Sequence, residues 1–255
     1  MRFFNLKRKL FYIHIHKCGG TSITTTLNFD GIKDKMIHNR INDPIIRKHF
    51  DGTKSYYFNA SVYDLMADYF NDELKEGFIF SSIRDPYARF ISLFQQFRNH
   101  VHIFGKQIND IDEFINYYLY FKRQEEQQRI EEVNSNWTDP RCFVPGRQDV
   151  YLTRNVLVYH GDPFTQHLAD ENLNRKVDFI ITLENMQRDW NYLKKVTGIT
   201  EDIQHKNKIG NYSNNKEYLK FYTDKSYDFV TKFYEKDIEF YEKIIKENDK
   251  LTTGE

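Results

Sequence analysis

The chain has 255 residues but only two cysteines, Cys18 and Cys142. A disulfide framework of the kind that supports small secreted proteins needs more cysteine pairs than this. Scarce cysteine is typical of proteins that fold in a reducing compartment. We therefore expect a cytoplasmic protein whose stability comes from an ordinary hydrophobic core.

The chain also lacks an excess of either charge and any long apolar run. Lys and Arg together number 37, and so do Asp and Glu. This balance provides no general field that would attract nucleic acid or an anionic membrane, so we expect neither as a partner. No run approaches the roughly 20 apolar residues of a membrane-spanning helix, and residues 1–17 have no clean apolar region of a signal peptide. We expect no membrane span.

The nucleotide-binding motif GxxxxGK[ST] is absent as well, but residues 11–23, FYIHIHKCGGTSI, contain another phosphate-binding pattern. The β-forming residues at its start predict a buried strand. One cation, two glycines and two hydroxyl groups follow in order: Lys17, Gly19, Gly20, Thr21 and Ser22. Glycines let backbone N–H groups approach an oxyanion, and a helix N-terminus adds unpaired donors. The segment predicts a phosphate cradle, although a glycine turn before a Ser/Thr-capped helix would also explain the glycines.

A second strand, loop and helix occur at residues 78–94, FIFSSIRDPYARFISLF. Arg84 stands at the carboxyl end of the predicted strand, where open α/β sheets bind their ligands. Asp85 and Pro86 are typical of a helix start, but a helix start alone does not explain Arg84. Ser92 follows eight residues after Arg84, about two turns into the helix.

The motifs K-x-G-G-T-S and R-D-P-x-x-R-x-x-S, in this order, resemble the cofactor loops of sulfotransferases that use PAPS (3′-phosphoadenosine 5′-phosphosulfate). The resemblance implies that Arg84 and Ser92 bind the 3′-phosphate. It implies that the first loop binds the 5′-phosphosulfate through Lys17, Cys18, Gly19, Gly20, Thr21 and Ser22. Residues 205–214, HKNKIGNYSN, resemble the family's loop that closes over the nucleotide, and Lys206 and Lys208 are its cations. The carbohydrate sulfotransferases, including heparan and chondroitin types and bacterial relatives, are the most similar branch.

The resemblance implies an α/β fold, with a P-loop-like central parallel sheet flanked by helices, in one domain over residues 1–255. Apolar spacing predicts a long helix over about residues 108–133. We also predict a strand over residues 156–159. A long final helix is predicted, with one apolar stripe formed by Tyr227, Val230, Phe233, Tyr234, Ile238, Tyr241 and Ile245.

The sequence departs from the family at the expected general base. Relatives commonly carry His, or Glu in one branch, in a short segment after the second strand, and Asn59 stands there in this chain. Asn orients a hydroxyl group but accepts no proton at neutral pH. His38 and His49 lie just upstream and are the nearest candidates for the base, with a surface or core position as the alternative for each.

These features predict a PAPS-dependent sulfotransferase that acts on a hydroxyl group, most simply of a carbohydrate, and that requires no metal. Lys17 is expected to neutralise the departing phosphate oxygen, although a purely ground-state contact with the phosphate is the alternative. A protein that binds PAP or PAPS with little or no catalysis would also fit Asn59. A nucleotide or sugar kinase would need a phosphate cradle too, but would normally carry GxxxxGK[ST].

Overall fold

The computed structural model describes residues 2–5, 10–27, 76–134, 157–158, 160–204 and 216–253. The strands are β1 (Arg2–Asn5), β2 (Leu10–Ile13), β3 (Phe78–Ile83) and β4 (Phe179–Thr182). The helices described without a gap are α1 (Gly20–Leu27), α2 (Pro86–Phe97), α3 (Val101–Phe104), α4 (Ile111–Asn134), α5 (Thr165–Leu168), α6 (Met186–Thr197), α7 (Asp224–Phe233) and α8 (Glu235–Thr253). Two 3₁₀ turns occur at Leu183–Asn185 and Glu217–Phe221.

The described strands form one sheet in the order β1-β2-β3-β4. β2, β3 and β4 are parallel, with Ile13 opposite Ser81 and Ile83 opposite Thr182. β1 adds an antiparallel strand at the edge beside β2. The predicted α/β class with a parallel sheet flanked by helices is confirmed. Because β2 and β3 are parallel neighbours, the loops that follow them leave the same edge of the sheet.

Both faces of the sheet are covered, which explains why the parallel strands are buried along almost their whole length and are mostly apolar. Side chains alternate along β2, so Phe11 and Ile13 lie on one face and Leu10 and Tyr12 on the other. The first face packs against α5 and α8, through residues such as Phe164, Leu168, Phe240 and Ile244. The second face packs against α1 and α6, through Ile23, Leu27, Trp190 and Leu193.

The C-terminal region consists of two helices rather than the single long helix predicted. α7 ends at Phe233 and α8 begins at Glu235, with φ −109° and ψ 25° at Tyr234 between them. The predicted stripe is also only partly buried, since Tyr227 is 42% exposed. The buried face of α8 includes two polar residues, Asp237 and Asn248, that a search for apolar spacing passes over.

The chain divides into two compact units, one of residues 1–32, 61–92 and 163–255 and the other of residues 33–60 and 93–162. A single domain over residues 1–255 therefore stays a prediction. The first unit contains the sheet. In the second unit, the ring of Phe114 packs against those of Phe94 and Phe104, at centroid distances of 5.4 and 6.0 Å.

The prediction of a strand over residues 156–159 is wrong. Leu157, Val158, His160 and Gly161 are helical, and Leu157 and Val158 are fully buried. A short apolar run does not distinguish a strand from a buried helical turn, because both place every residue in the core.

Candidate functional site

The loop between β2 and α1 forms the first part of the site. β2 ends at Ile13, and α1 begins at Gly20. The N–H of Ser22 donates to the carbonyl of Gly19 over 3.0 Å, which closes the first turn. Within the described ranges, the N–H groups of Gly20 and Thr21 donate to no other residue. These are the orphan donors of a helix start, and an anion is a suitable acceptor for them.

Both glycines of the loop are required by the geometry, for different reasons. Gly19 has φ +81°, a conformation that L-residues rarely adopt. A Cβ on Gly20 would lie 2.0 Å from Nε2 of His14, so the histidine ring occupies the space of a side chain. Burial, aided by nearby positive charges that include Lys17, lowers the pKa of His14 to about 3. His14 is therefore a neutral packing group under the helix start.

Lys17 lies in this loop with a half-buried side chain and φ 67°. Burial and, after it, the charge of Arg84 lower the pKa of the Lys17 ammonium from 10.5. Lys17 and Arg84 follow adjacent parallel strands, so the two predicted phosphate ligands come together at one edge of the sheet. Two neighbouring cations are an unfavourable pair unless an anion lies between them.

Cys18 is part of the core rather than a reactive group of the loop. Its side chain is fully buried, and Sγ lies 3.5 Å from the carbonyl oxygen of His16. Burial raises the pKa of the Cys18 thiol to about 12. Any contact of Cys18 with a ligand would therefore involve its backbone.

Cys18 is expected to resist thiol reagents in the folded protein. With a pKa of about 12, roughly one thiol in ten thousand is ionised at pH 8, and the buried sulfur is shielded as well. A Cys142→Ser variant leaves Cys18 as the only thiol, and labelling with a chromogenic disulfide would be followed in buffer and in guanidinium chloride. We expect labelling only after unfolding. Rapid labelling of the native protein would show instead that the thiol faces the site.

The remaining predicted ligands of the first loop differ in exposure. Thr21 is exposed at the start of α1, whereas Ser22 is 8% exposed.

α1 also contacts the residues that precede the predicted nucleotide-covering segment. Oγ1 of Thr26 accepts the N–H of Gln204 over 2.9 Å. Gln204 immediately precedes the segment with Lys206 and Lys208, and these two lysines lie outside the described residues.

The loop after β3 forms the second part of the site. Oδ1 of Asp85 accepts the N–H groups of Tyr87 and Ala88 over 2.9 and 3.1 Å, so Asp85 caps α2, with Pro86 as its first residue. These contacts confirm the predicted start of α2. They do not account for Arg84, which precedes the capping residue. Arg84 is half-buried, and its Nε is buried with no hydrogen-bond partner among the described residues. Ser92 is half-buried on α2.

Three side chains from the C-terminal half hold this second loop. Oε1 of Glu184 accepts the N–H of Asp85 over 3.2 Å, and Oε2 accepts the hydroxyl of Tyr241 over 2.8 Å. The hydroxyl of Tyr218 donates to Oδ2 of Asp85 over 2.9 Å. Burial raises the pKa of Glu184, with Arg84 acting in the opposite direction. The contacts of Glu184 and Tyr218 with the second loop were not predicted, because Asp85 lies 99 and 133 positions away from them in the chain.

Sequence reasoning also missed the buried polar side chains beneath the first loop. Ser82 donates to the carbonyl of Cys18 over 2.7 Å, and Arg89 donates through Nε to the carbonyl of His16 over 3.1 Å. Two serines inside the apolar strand FIFSSI are the signal that could have indicated such contacts, because a buried hydroxyl normally has a partner.

The predicted acceptor-side residues His38, His49 and Asn59 lie outside the described residues. In the part of the chain that is described, no group of three or more His, Cys, Asp or Glu side chains is arranged to hold a metal ion. Among the helices described, none has both the length and the apolar character to cross a membrane.

A family model described as "Sulfotransferase family" matches residues 2–243, a range that includes both loops. The family resemblance inferred from the two motifs is therefore confirmed. No curated protein and no solved structure matches the chain significantly.

Proposed function

This chain belongs to the sulfotransferase family, and we propose that it transfers a sulfuryl group from PAPS to a hydroxyl group of a carbohydrate. PAPS, when bound, supplies the activated sulfuryl group and a phosphate as its leaving group. The acceptor class and the cofactor follow from the resemblance of the motifs. A cytoplasmic location is proposed from the cysteine content alone.

The observation that carries the proposal is the pairing of Lys17 with Arg84. The charge of Arg84 contributes to the lowered pKa of Lys17, and Nε of Arg84 has no partner among the described residues. A buried guanidinium nitrogen without a partner is costly, and a phosphate oxygen would satisfy it. The donor set of the described residues therefore fits a ligand with anionic groups at two places.

The residues of the first loop would bind the 5′ end of the cofactor. The N–H groups of Gly20 and Thr21 and the ammonium of Lys17 are the donors for its oxygens. A lowered pKa makes the Lys17 proton easier to share with an oxygen that gains negative charge. We assign Lys17 the role of stabilising the leaving oxygen during transfer.

The second loop would bind the 3′-phosphate through Arg84 and Ser92. Asp85 and Glu184 fix the loop by their hydrogen bonds, so Arg84 is presented from a rigid support. Lys206 and Lys208 are proposed to cover the nucleotide. Tyr218 ties the residues that follow this segment to Asp85.

A hydroxyl acceptor requires a group that takes its proton, because an alcohol is a weak nucleophile. We propose that Asn59 orients the hydroxyl and that His38 or His49 acts as the base. A second candidate function is a protein that binds the nucleotide without turnover, and the presence of Asn59 at the position of the family's base favours it. A kinase remains the weaker alternative because the chain lacks GxxxxGK[ST].

Arg84→Ala is expected to weaken PAP binding about ten-fold or more and to remove most of the preference for PAP over AMP. A charge-assisted contact between Arg and phosphate contributes about 1.5–3 kcal/mol, and AMP lacks the 3′-phosphate. Isothermal titration calorimetry with PAP and AMP measures both affinities. Arg123→Ala removes an arginine that is exposed on α4 and should leave both affinities unchanged.

The same titrations test the cofactor assignment. The wild type should bind PAP more tightly than AMP, and ATP should not be the preferred ligand. Equal affinity for PAP and AMP would contradict the 3′-phosphate site. Tighter binding of ATP than of PAP would favour the kinase.

A further inference from the structure

Lys17 has a backbone conformation that residues with a side chain rarely adopt. Its φ of 67° lies in the left-handed region, where Cβ comes close to the following carbonyl oxygen. Such a conformation persists only where the surroundings impose it, and residues of this kind cluster at functional sites. In this loop the strained residue is the one that carries the charge.

Two carbonyl groups near Lys17 in the chain, those of His16 and Cys18, are held by side chains from α2 and β3. Nε of Arg89 donates to the carbonyl of His16 over 3.1 Å. Oγ of Ser82 donates to the carbonyl of Cys18 over 2.7 Å. The hydrogen bond from Arg89 holds the peptide plane between His16 and Lys17, and the one from Ser82 holds the plane between Cys18 and Gly19. Because Cys18 itself is fully buried, these two bonds anchor both ends of the short segment that contains Lys17.

Both donors are themselves fixed in the core. Ser82 is fully buried, and its Oγ lies 2.7 Å from the hydroxyl of Tyr12. Arg89 is 4% exposed, with Nη1 3.8 Å from Oδ2 of Asp237 on α8. Its guanidinium also lies 5.7 Å from the centroid of the Phe164 ring. A shift of either donor would disturb packing on the sheet, so the restraint is rigid.

We propose that Ser82 and Arg89 are positioning residues for Lys17: they anchor the carbonyl groups of Cys18 and His16 at the two ends of the segment, keep Lys17 in the left-handed conformation and so fix the direction of its side chain. This inference rests on the proposed function for its consequence in catalysis, but the restraint itself is a property of the folded chain. Without it, the loop would relax and the ammonium would point elsewhere.

A cycle of unfolding measurements tests the restraint without any substrate. In the wild-type background, Lys17→Gly should raise Tm by about 2–4 °C relative to Lys17→Ala, because glycine adopts φ > 0 without strain. In a Ser82→Ala background the loop can relax, so the advantage of glycine should shrink to less than half or reverse. An advantage of the same size in both backgrounds, or none in the wild type, would overturn the proposal.

Ser81 offers a matched control on the same strand. It is fully buried like Ser82, and it donates over 2.7 Å to the carbonyl of Ile13, which does not flank Lys17. The advantage of glycine should persist in a Ser81→Ala background. Should Ser82→Ala not fold, Arg89→Lys keeps a buried charge beside Asp237 but loses the planar Nε donor. It should reduce the glycine advantage in the same way, and an undiminished advantage would again overturn the proposal.

The consequence for catalysis is a change in kcat with little change in cofactor affinity. Ser82→Ala should lower kcat about ten-fold or more, since small displacements of a catalytic group are costly. Its Kd for PAP should stay within about threefold of the wild type, because a misdirected ammonium still attracts the anion. Ser81→Ala should change neither. Reduced PAP affinity with unchanged kcat would overturn the positioning role. If no acceptor is sulfated, the proposed function fails, whereas the unfolding cycle still decides the restraint.

Discussion

Replacing Lys17 with alanine is expected to lower kcat by about 10²–10³-fold, the range for losing one group that stabilises developing charge. PAP affinity should fall much less, because only interactions that strengthen in the transition state act on kcat. The half-buried position of Lys17 beside Arg84 supports this division, since a second cation already attracts the ground-state anion. Single-turnover rates with PAPS, compared with calorimetric Kd values for PAP, separate the two effects.

Two further variants control this experiment. Lys195→Ala removes an exposed lysine on α6 and should leave kcat unchanged. If the protonated form of Lys17 stabilises the leaving oxygen, kcat/KM should fall as the pH rises through the pKa of Lys17, and burial and Arg84 place that pKa below 10.5. Lys17→Arg should shift that alkaline limb upward, since a guanidinium does not titrate there. A Lys17→Ala variant with near-normal kcat and only a raised KM would make Lys17 a ground-state phosphate ligand.

The second large effect concerns the general base. If His38 or His49 takes the proton of the acceptor hydroxyl, the rate should rise with pH through a pKa near 6.5 in the wild type. One of the variants His38→Ala and His49→Ala should then abolish this limb and lower kcat by about 10²–10⁴-fold. A pH–rate profile of each variant with the same acceptor provides the measurement.

Asn59 provides the internal comparison for that experiment. Asn59→Ala should cost less than the loss of the base, because it removes orientation and leaves proton transfer intact. A silent Asn59→Ala variant together with full activity of both histidine variants would show that the acceptor site lies elsewhere. If the wild type transfers nothing while Asn59→His gains activity, the chain is the binding protein.

The parts of the fold that could be predicted are those determined by residues close together in the chain. The strand, loop and helix around Lys17 and around Arg84 each lie within about twenty residues, and apolar spacing together with glycine and proline placement identifies them locally. The end of α6 is coded locally as well, because Gly198 caps it with φ 72°, and a glycine is the usual residue at this position.

The restraint on Lys17 was not predictable, because its partners are far apart in the chain. Ser82 donates a hydrogen bond to Cys18 across 64 positions, and Arg89 donates one to His16 across 73.

Apolar periodicity also fails to identify core positions that are occupied by a polar residue. Asp237 accepts the N–H groups of Phe164 and Thr165 from within α8, so it is buried for its hydrogen bonds and not for its hydrophobicity.

The central claim is tested most directly by incubating the wild-type protein with PAPS that carries radioactive sulfur and with a panel of oligosaccharides. The account predicts that label moves to a hydroxyl group of at least one acceptor, with one PAP formed for each label transferred. Arg84→Ala and Lys17→Ala should each reduce that transfer, whereas Lys195→Ala should not. Tight binding of PAP without transfer of label to any hydroxyl acceptor would contradict the account.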